Sequence, residues 1–155
     1  MNAVDKIIDK AEQICLNRGT RLTAKRKQVL AGLIESNKAL SAYELIDFCE
    51  SHYGDTFSAM SVYRILEFLE EEGLAHRLNI ANKYVACAHI NCGHTHETPQ
   101  FLICRECSKV REIRITPDAI SNLKDNASDA GFMLVTPQFE MSCICKDCAP
   151  QQPNL

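Results

Sequence analysis

The sequence predicts an α+β chain, with a winged helix-turn-helix in front and a small α/β unit behind it. Three observations predict this. Apolar residues recur at helical spacing in four successive segments before residue 73, two short extended stretches follow, and the chain changes character after residue 88. Three helices and a β-hairpin, in that order, make a winged helix-turn-helix, here with one extra helix in front. The expected boundaries are 1–88 for the winged-helix unit, 89–100 for a hinge and 101–150 for a cysteine-rich unit.

Val4, Ile7, Ile8, Ala11 and Ile14 mark a first helix over 4–16, with Gly19 beyond it. Thr23 is a candidate N-cap for a second helix through Ser36, with Val29, Leu30, Leu33 and Ile34 on one face. Ser41 and Glu44 have the spacing of a capping box and head a third helix, whose apolar side would be Tyr43, Leu45, Ile46 and Cys49. Ser58 or Ser61 opens a fourth, with Val62, Ile65, Leu66 and Leu69 as its buried stripe and Gly73 as its stop. The stretches 74–78 and 84–88 read as the hairpin, turned by Asn79 and Asn82. Behind it, 101–103 and 110–115 read as strands around a Cys-x-x-Cys turn. A helix over 118–130 would turn Ile120, Leu123 and Ala127 inward, and 132–141 reads as a further strand, at an edge or bulge because of Pro137.

With 155 residues, 46% apolar and 24% charged, the chain has the composition of an ordinary globular protein. No apolar run approaches the roughly 20 residues of a membrane span, so no membrane partner is expected. The first ten residues have no apolar signal region, which points to the cytoplasm. The net charge of −3 argues weakly against a nucleic-acid ligand, but charge is unevenly spread. Arg18, Arg21, Lys25, Arg26 and Lys27 form a basic run without an acid, whereas Glu70, Glu71 and Glu72 stand together.

In a reducing compartment nine cysteines suggest metal rather than disulfides. Cys104/Cys107 and Cys145/Cys148 are two Cys-x-x-Cys turns. Each puts two thiolates on one turn, and together they offer four sulfurs, suited to tetrahedral zinc in a closed structural site. Cys143 is close enough in sequence to replace one of them. A second, scattered set comprises His76, Cys87, His89, His94, His96 and Glu112. A hairpin would bring His76 and Cys87 together, and a mixed nitrogen, sulfur and oxygen site suits an exchangeable zinc where the two halves meet. On the fourth helix Tyr63 and Arg64 point away from the apolar stripe, so an exposed Arg is available for guanine or phosphate. Thr23 and Arg26 stand where the second helix could anchor phosphate.

These motifs together resemble the ferric uptake regulator family. The carrying residues are Arg21-Leu22-Thr23-Ala24-Lys25-Arg26, Ser61-Val62-Tyr63-Arg64, Phe101-Leu102-Ile103-Cys104-Arg105-Glu106-Cys107 and the closing Cys145/Cys148. Within the family the chain is most similar to the zinc uptake branch, on His76, Cys87, His96 and Glu112. The loop before Cys104 is about one residue longer than usual, which sets His94 against His96; His89 is a further alternative, and Cys92 and Cys143 are extra thiols. Ala24-Lys25 replaces the usual Pro-Gln, and Ser61 the usual Thr.

The resemblance implies a homodimer that binds double-stranded operator DNA when loaded with Zn2+, two ions per protomer, and represses zinc-uptake genes. Ser61, Tyr63, Arg64, Arg26 and Thr23 would face DNA. Other readings are a relative sensing another metal or peroxide, a thiol-based redox regulator, or a zinc enzyme. The enzyme reading lacks its motifs: neither His-x-Glu with Pro-Cys-x-x-Cys nor His-Glu-x-x-His occurs.

Overall fold

The computed structural model describes residues 2–90, 99–135 and 138–149. The front half runs α1 (Ala3–Asn17), α2 (Ala24–Ser36), α3 (Ala42–Tyr53), α4 (Ala59–Glu71), β1 (Ala75–Leu78) and β2 (Lys83–Ala86). The back half runs β3 (Pro99–Cys104), β4 (Val110–Arg114), α5 (Pro117–Asp129) and β5 (Phe139–Cys143).

Local chemistry sets the helix starts. Thr23, Ser41, Ser58 and Thr116 each accept a backbone N–H of the first turn, and Ser41 with Glu44 completes a capping box. Asn2 and Asp5 form a second box at the head of α1. Of the two serines that could open α4, Ser58 is the cap and Ser61 lies inside the helix. Gly73 follows α4 at φ +73°, a left-handed conformation that costs glycine little.

Helical periodicity then builds the core. Leu30, Leu45, Leu66 and Leu69 have no measurable exposure, and burial of each contributes about 1.5–3 kcal/mol. Gly32 lets α2 and α3 approach closely: a Cβ there would stand 3.1 Å from Leu45 Cδ1 and 3.2 Å from Cys49 Sγ. The expected apolar side of α3 needs one correction. Tyr43 is 65% exposed, because it falls outside the arc shared by Leu45 and Cys49.

β1 and β2 pair antiparallel, His76 opposite Val85, and form the wing. The back sheet has the order β4-β3-β5, antiparallel on one side and parallel on the other. A small second core joins the halves: Ala39, Leu78 and Val85 from the front pack with Phe101 and Ile103 from β3.

Two expectations for the back half fail within one chain. No residue of α5 is buried, and Leu123 is 42% exposed, so its apolar face does not turn inward. The last strand spans Phe139–Cys143 rather than 132–141, and Phe132, Met133 and Val135 are exposed. Pro137 lies outside the described residues. No helix among the described residues is long and apolar enough to cross a membrane.

Candidate metal centres and nucleic-acid face

Cys104 ends β3, and Cys107 follows on the turn before β4. Cys145 and Cys148 lie on a turn just beyond β5. Because β5 runs parallel to β3 and in register with it, Cys104 opposite Cys143, the two turns emerge side by side. The four sulfurs lie within 4.8 Å of one another. Cys107 and Cys145 Sγ are 3.7 Å apart, and Cys145 N–H donates to Cys104 Sγ at 3.3 Å. That N–H, with those of Cys107 and Glu106, lowers the Cys104 thiol to about 6, whereas the sulfurs of Cys145 and Cys107 push Cys148 up to about 12. Four thiols packed so closely cannot all ionise without a cation, and four soft sulfurs suit zinc. Cys143 is not a member of this group; its Sγ lies 3.5 Å from the Met141 carbonyl.

The second cluster crosses the junction. His76 stands on β1, Cys87 just after β2 and Glu112 on β4, and their ligand atoms also lie within 4.8 Å of one another. His76 Nε2 is 3.4 Å from Glu112 Oε1. The other carboxylate oxygen accepts the Ala88 N–H at 2.9 Å. Burial opposes ionisation of Glu112, but His76 and the Ala88 N–H outweigh it and hold the carboxyl below its ordinary range. His76 also tilts against Phe101, ring centroids 5.1 Å apart, so the site has an apolar wall. His89 is half-buried beside this group: its N–H donates to Cys87 Sγ at 3.4 Å, and its ring acts electrostatically on Glu112. His94, His96 and Cys92 lie outside the described residues.

The fourth helix of the sequence reading is α4. Val62, Ile65, Leu66 and Leu69 are buried, whereas Tyr63 and Arg64 face outward. Ser61 is half-buried and receives a hydrogen bond from Ser58 Oγ. The basic run is largely engaged within the fold. Arg18 pairs with the buried Glu72 at 2.8 Å, and Lys27 pairs with Glu12. Arg26 lays its guanidinium 3.7 Å above the Phe68 ring and donates to the Arg21 carbonyl at 2.7 Å. Thr23 Oγ1 is taken up by the cap of α2. Sequence spacing gave no sign of these engagements, since Glu72 and Phe68 lie over 40 residues away.

The family model described as the ferric uptake regulator family matches residues 17–142. The zinc uptake regulation protein of Escherichia coli (strain K12) is 33% identical over 145 residues, covering 92% of this chain and 81% of that protein. A solved zinc uptake regulator complexed with zinc and DNA superposes with a TM-score of 0.81 at 28% identity, over 97% of each chain. Holo XcZur superposes at 0.76 with 32% identity, over 94% of this chain and 99% of that one. Apo XcZur reaches only 0.52 at 33% identity, over 96% and 99%. At nearly equal sequence identity, the chain superposes more closely on the holo form than on the apo form. With the winged helix-turn-helix, the paired Cys-x-x-Cys turns and a family match over most of its length, the chain belongs to the ferric uptake regulator family.

Proposed function

We propose that this protein is a zinc-responsive transcriptional repressor that binds operator DNA as a zinc-loaded homodimer and represses genes for zinc uptake. The observation that carries the reading is the convergence of His76, Cys87 and Glu112 at the junction of wing and back sheet. These are nitrogen, sulfur and oxygen donors of the kind zinc accepts. The four-thiol cluster would hold a structural zinc and the junction cluster an exchangeable one, two ions per protomer. A fourth ligand would come from His96, with His94 or His89 as alternatives.

An ion bonded to the wing and to β4 would favour one arrangement of the two halves. Likeness to holo XcZur supports the view that the arrangement described here is the metal-loaded one. In a dimer this fixes the spacing of the two α4 helices for successive major grooves, with Tyr63 and Arg64 facing the DNA. Ser61, Arg26 and Thr23 would support that face, the last two chiefly by holding the start of α2. The uncovered apolar residues of α5 and of 132–135 supply a face for a second copy. We place the unit boundaries near residues 88 and 101 and the protein in the cytoplasm.

Metal analysis with DNA titration tests the reading. Cys87→Ser is expected to retain one zinc per protomer and the fold, and to lose zinc-stimulated operator binding. A Cys87→Ser protein with full metal content and unchanged zinc dependence would refute the junction site.

A further inference from the structure

Wing and back sheet touch at a second place that involves no metal-ligating side chain. Glu140, on β5, reaches the turn between β1 and β2. Its Oε1 accepts the Ile80 N–H at 2.9 Å. Gln138 stands beside it: its Nε2 donates to the Arg77 carbonyl at 2.6 Å and to Glu140 Oε2 at 3.0 Å. On the wing side Glu140 meets the backbone N–H groups of Asn79 and Ile80 and also the Asn79 side chain, so backbone and side chain of the turn are both held. Across the turn, Arg77 donates to Asn82 Oδ1 at 3.0 Å. The wing turn is therefore held from beneath by Gln138 and Glu140 and across its mouth by Arg77.

The carrier of this contact is itself anchored. β5 pairs with β3 from Phe139 to Cys143, with Glu140 opposite Phe101. Phe101 is fully buried in the small core that also takes Leu78, the last residue of β1. At its far end β5 donates no slack: Arg105 N–H bonds the Cys143 carbonyl at 2.9 Å, and the chain runs directly into Cys145. One strand thus has the four-thiol cluster at one end and the wing turn at the other.

We propose that Glu140 and Gln138 are positioning residues for the wing, forming a latch that orients the wing on the back sheet independently of the junction metal. The proposal rests on the DNA-binding reading above. In the metal-loaded dimer the latch raises the fraction of molecules whose wing and α4 are set for DNA. Without it the junction ion must hold the wing alone, and apparent DNA affinity falls by the lost fraction.

The test uses the full-length, zinc-loaded dimer and an operator fragment selected from random duplexes by the wild-type protein. Glu140→Ala is expected to weaken operator binding about tenfold, the loss anticipated when a charge-assisted hydrogen bond that orders a segment is removed. Zinc content and dimerisation should not change, and the Ile80 amide should exchange with solvent faster. Glu140→Gln, which keeps one acceptor oxygen, should fall between Ala and wild type on both readouts. Arg64→Ala is measured alongside. If Arg64→Ala weakens binding while Glu140→Ala leaves both DNA affinity and Ile80 exchange unchanged, the latch is refuted and the DNA-binding reading stands. If the wild-type protein selects no duplex, the DNA-binding reading fails and the Ile80 exchange rate alone decides whether the wing is latched; if it selects one that Arg64→Ala binds unchanged, α4 is not the reading helix and the latch is judged on Glu140→Ala as above. Loss of affinity in Glu140→Ala with loss of zinc, or without faster Ile80 exchange, also overturns the proposal.

Discussion

His76 Nε2 and Glu112 Oε1 stand 3.4 Å apart, although 36 residues of sequence separate the wing strand from the back strand that carry them. The contact joins the two halves through a pair of groups that both accept a divalent ion. Glu112 is also the member of the cluster contributed by the back sheet.

Removing Glu112 should therefore uncouple metal from DNA. Changes to groups that merely support a metal ligand cost roughly 10–100-fold in metal affinity, and loss of a ligand should cost at least as much. Glu112→Ala also removes the acceptor of the Ala88 N–H, which is exposed and can turn to water. The expected result is one zinc per protomer in place of two and operator binding that no longer responds to added zinc. Metal analysis and fluorescence anisotropy at buffered zinc concentrations check it.

The four-thiol cluster should behave differently. Its sulfurs tie the end of β3 to the turn after β5, so removing one affects the back sheet before it affects DNA. Cys104→Ser is expected to lower the melting temperature, lose the tightly held zinc and yield aggregated or monomeric protein. A Cys104→Ser protein that stays folded and dimeric with full metal content would refute the structural assignment.

Much of this arrangement was legible in the sequence, for local reasons. Helices α1 to α4 follow from apolar spacing and from caps such as Ser41 with Glu44, which act within four residues. The pairing of His76 with Cys87 followed from a hairpin, and the two Cys-x-x-Cys turns announced their cluster. What escaped was set by tertiary contact. Arg26 reads as a free cation until Phe68 is placed beneath it. Leu123 reads as an inward residue, yet it is exposed and Ile120 and Ala127 are only half-buried within one chain, because helical periodicity marks an apolar face without saying what covers it. Glu140 and Gln138 match no motif, since their partners lie on a turn some 60 residues away and include its backbone groups.

That uncovered face gives a third prediction. Leu123, Phe132, Met133 and Val135 are exposed apolar residues on one stretch of the back half. If a second copy covers them, a charge placed there should break the dimer without unfolding the protomer. Leu123→Glu and Val135→Glu are expected to sediment as monomers with unchanged helical circular dichroism and junction ligands intact. A dimer of wild-type stability would place the interface elsewhere.

Thiol reactivity separates core cysteines from ligand cysteines. Cys15 and Cys49 are fully buried among the helices, and burial raises both thiols, Cys49 to about 11. At pH 8 each is un-ionised and inaccessible, so iodoacetamide should leave both unmodified. After chelation, Cys107, which is exposed, should label first. Peptide mass spectrometry reads the order. Labelling of Cys49 upon chelation would mean that the front half depends on the metal for its fold.

Arg64 and Arg26 make the last comparison, because both are basic residues near the expected DNA face and only one is free to bind. Arg64 is exposed on α4 beside Tyr63, with the buried stripe behind it. Arg26 is committed to Phe68 and to the Arg21 carbonyl. Arg64→Ala should cost about 1–3 kcal/mol of operator binding, more on operator than on random duplex if it reads a base, with melting temperature unchanged. Arg26→Ala should act chiefly on stability. It removes a cation–π contact of about 0.5–1 kcal/mol and a hydrogen bond of about 0.5–1.5 kcal/mol, and so lowers the melting temperature by a few degrees. Any loss of DNA affinity in Arg26→Ala should be equal on operator and random sequence, since it comes from loosening α2 against α4. Thermal unfolding and paired titrations on the two duplexes separate these outcomes. A sequence-dependent loss in Arg26→Ala at unchanged melting temperature would show that this guanidinium leaves Phe68 to contact DNA.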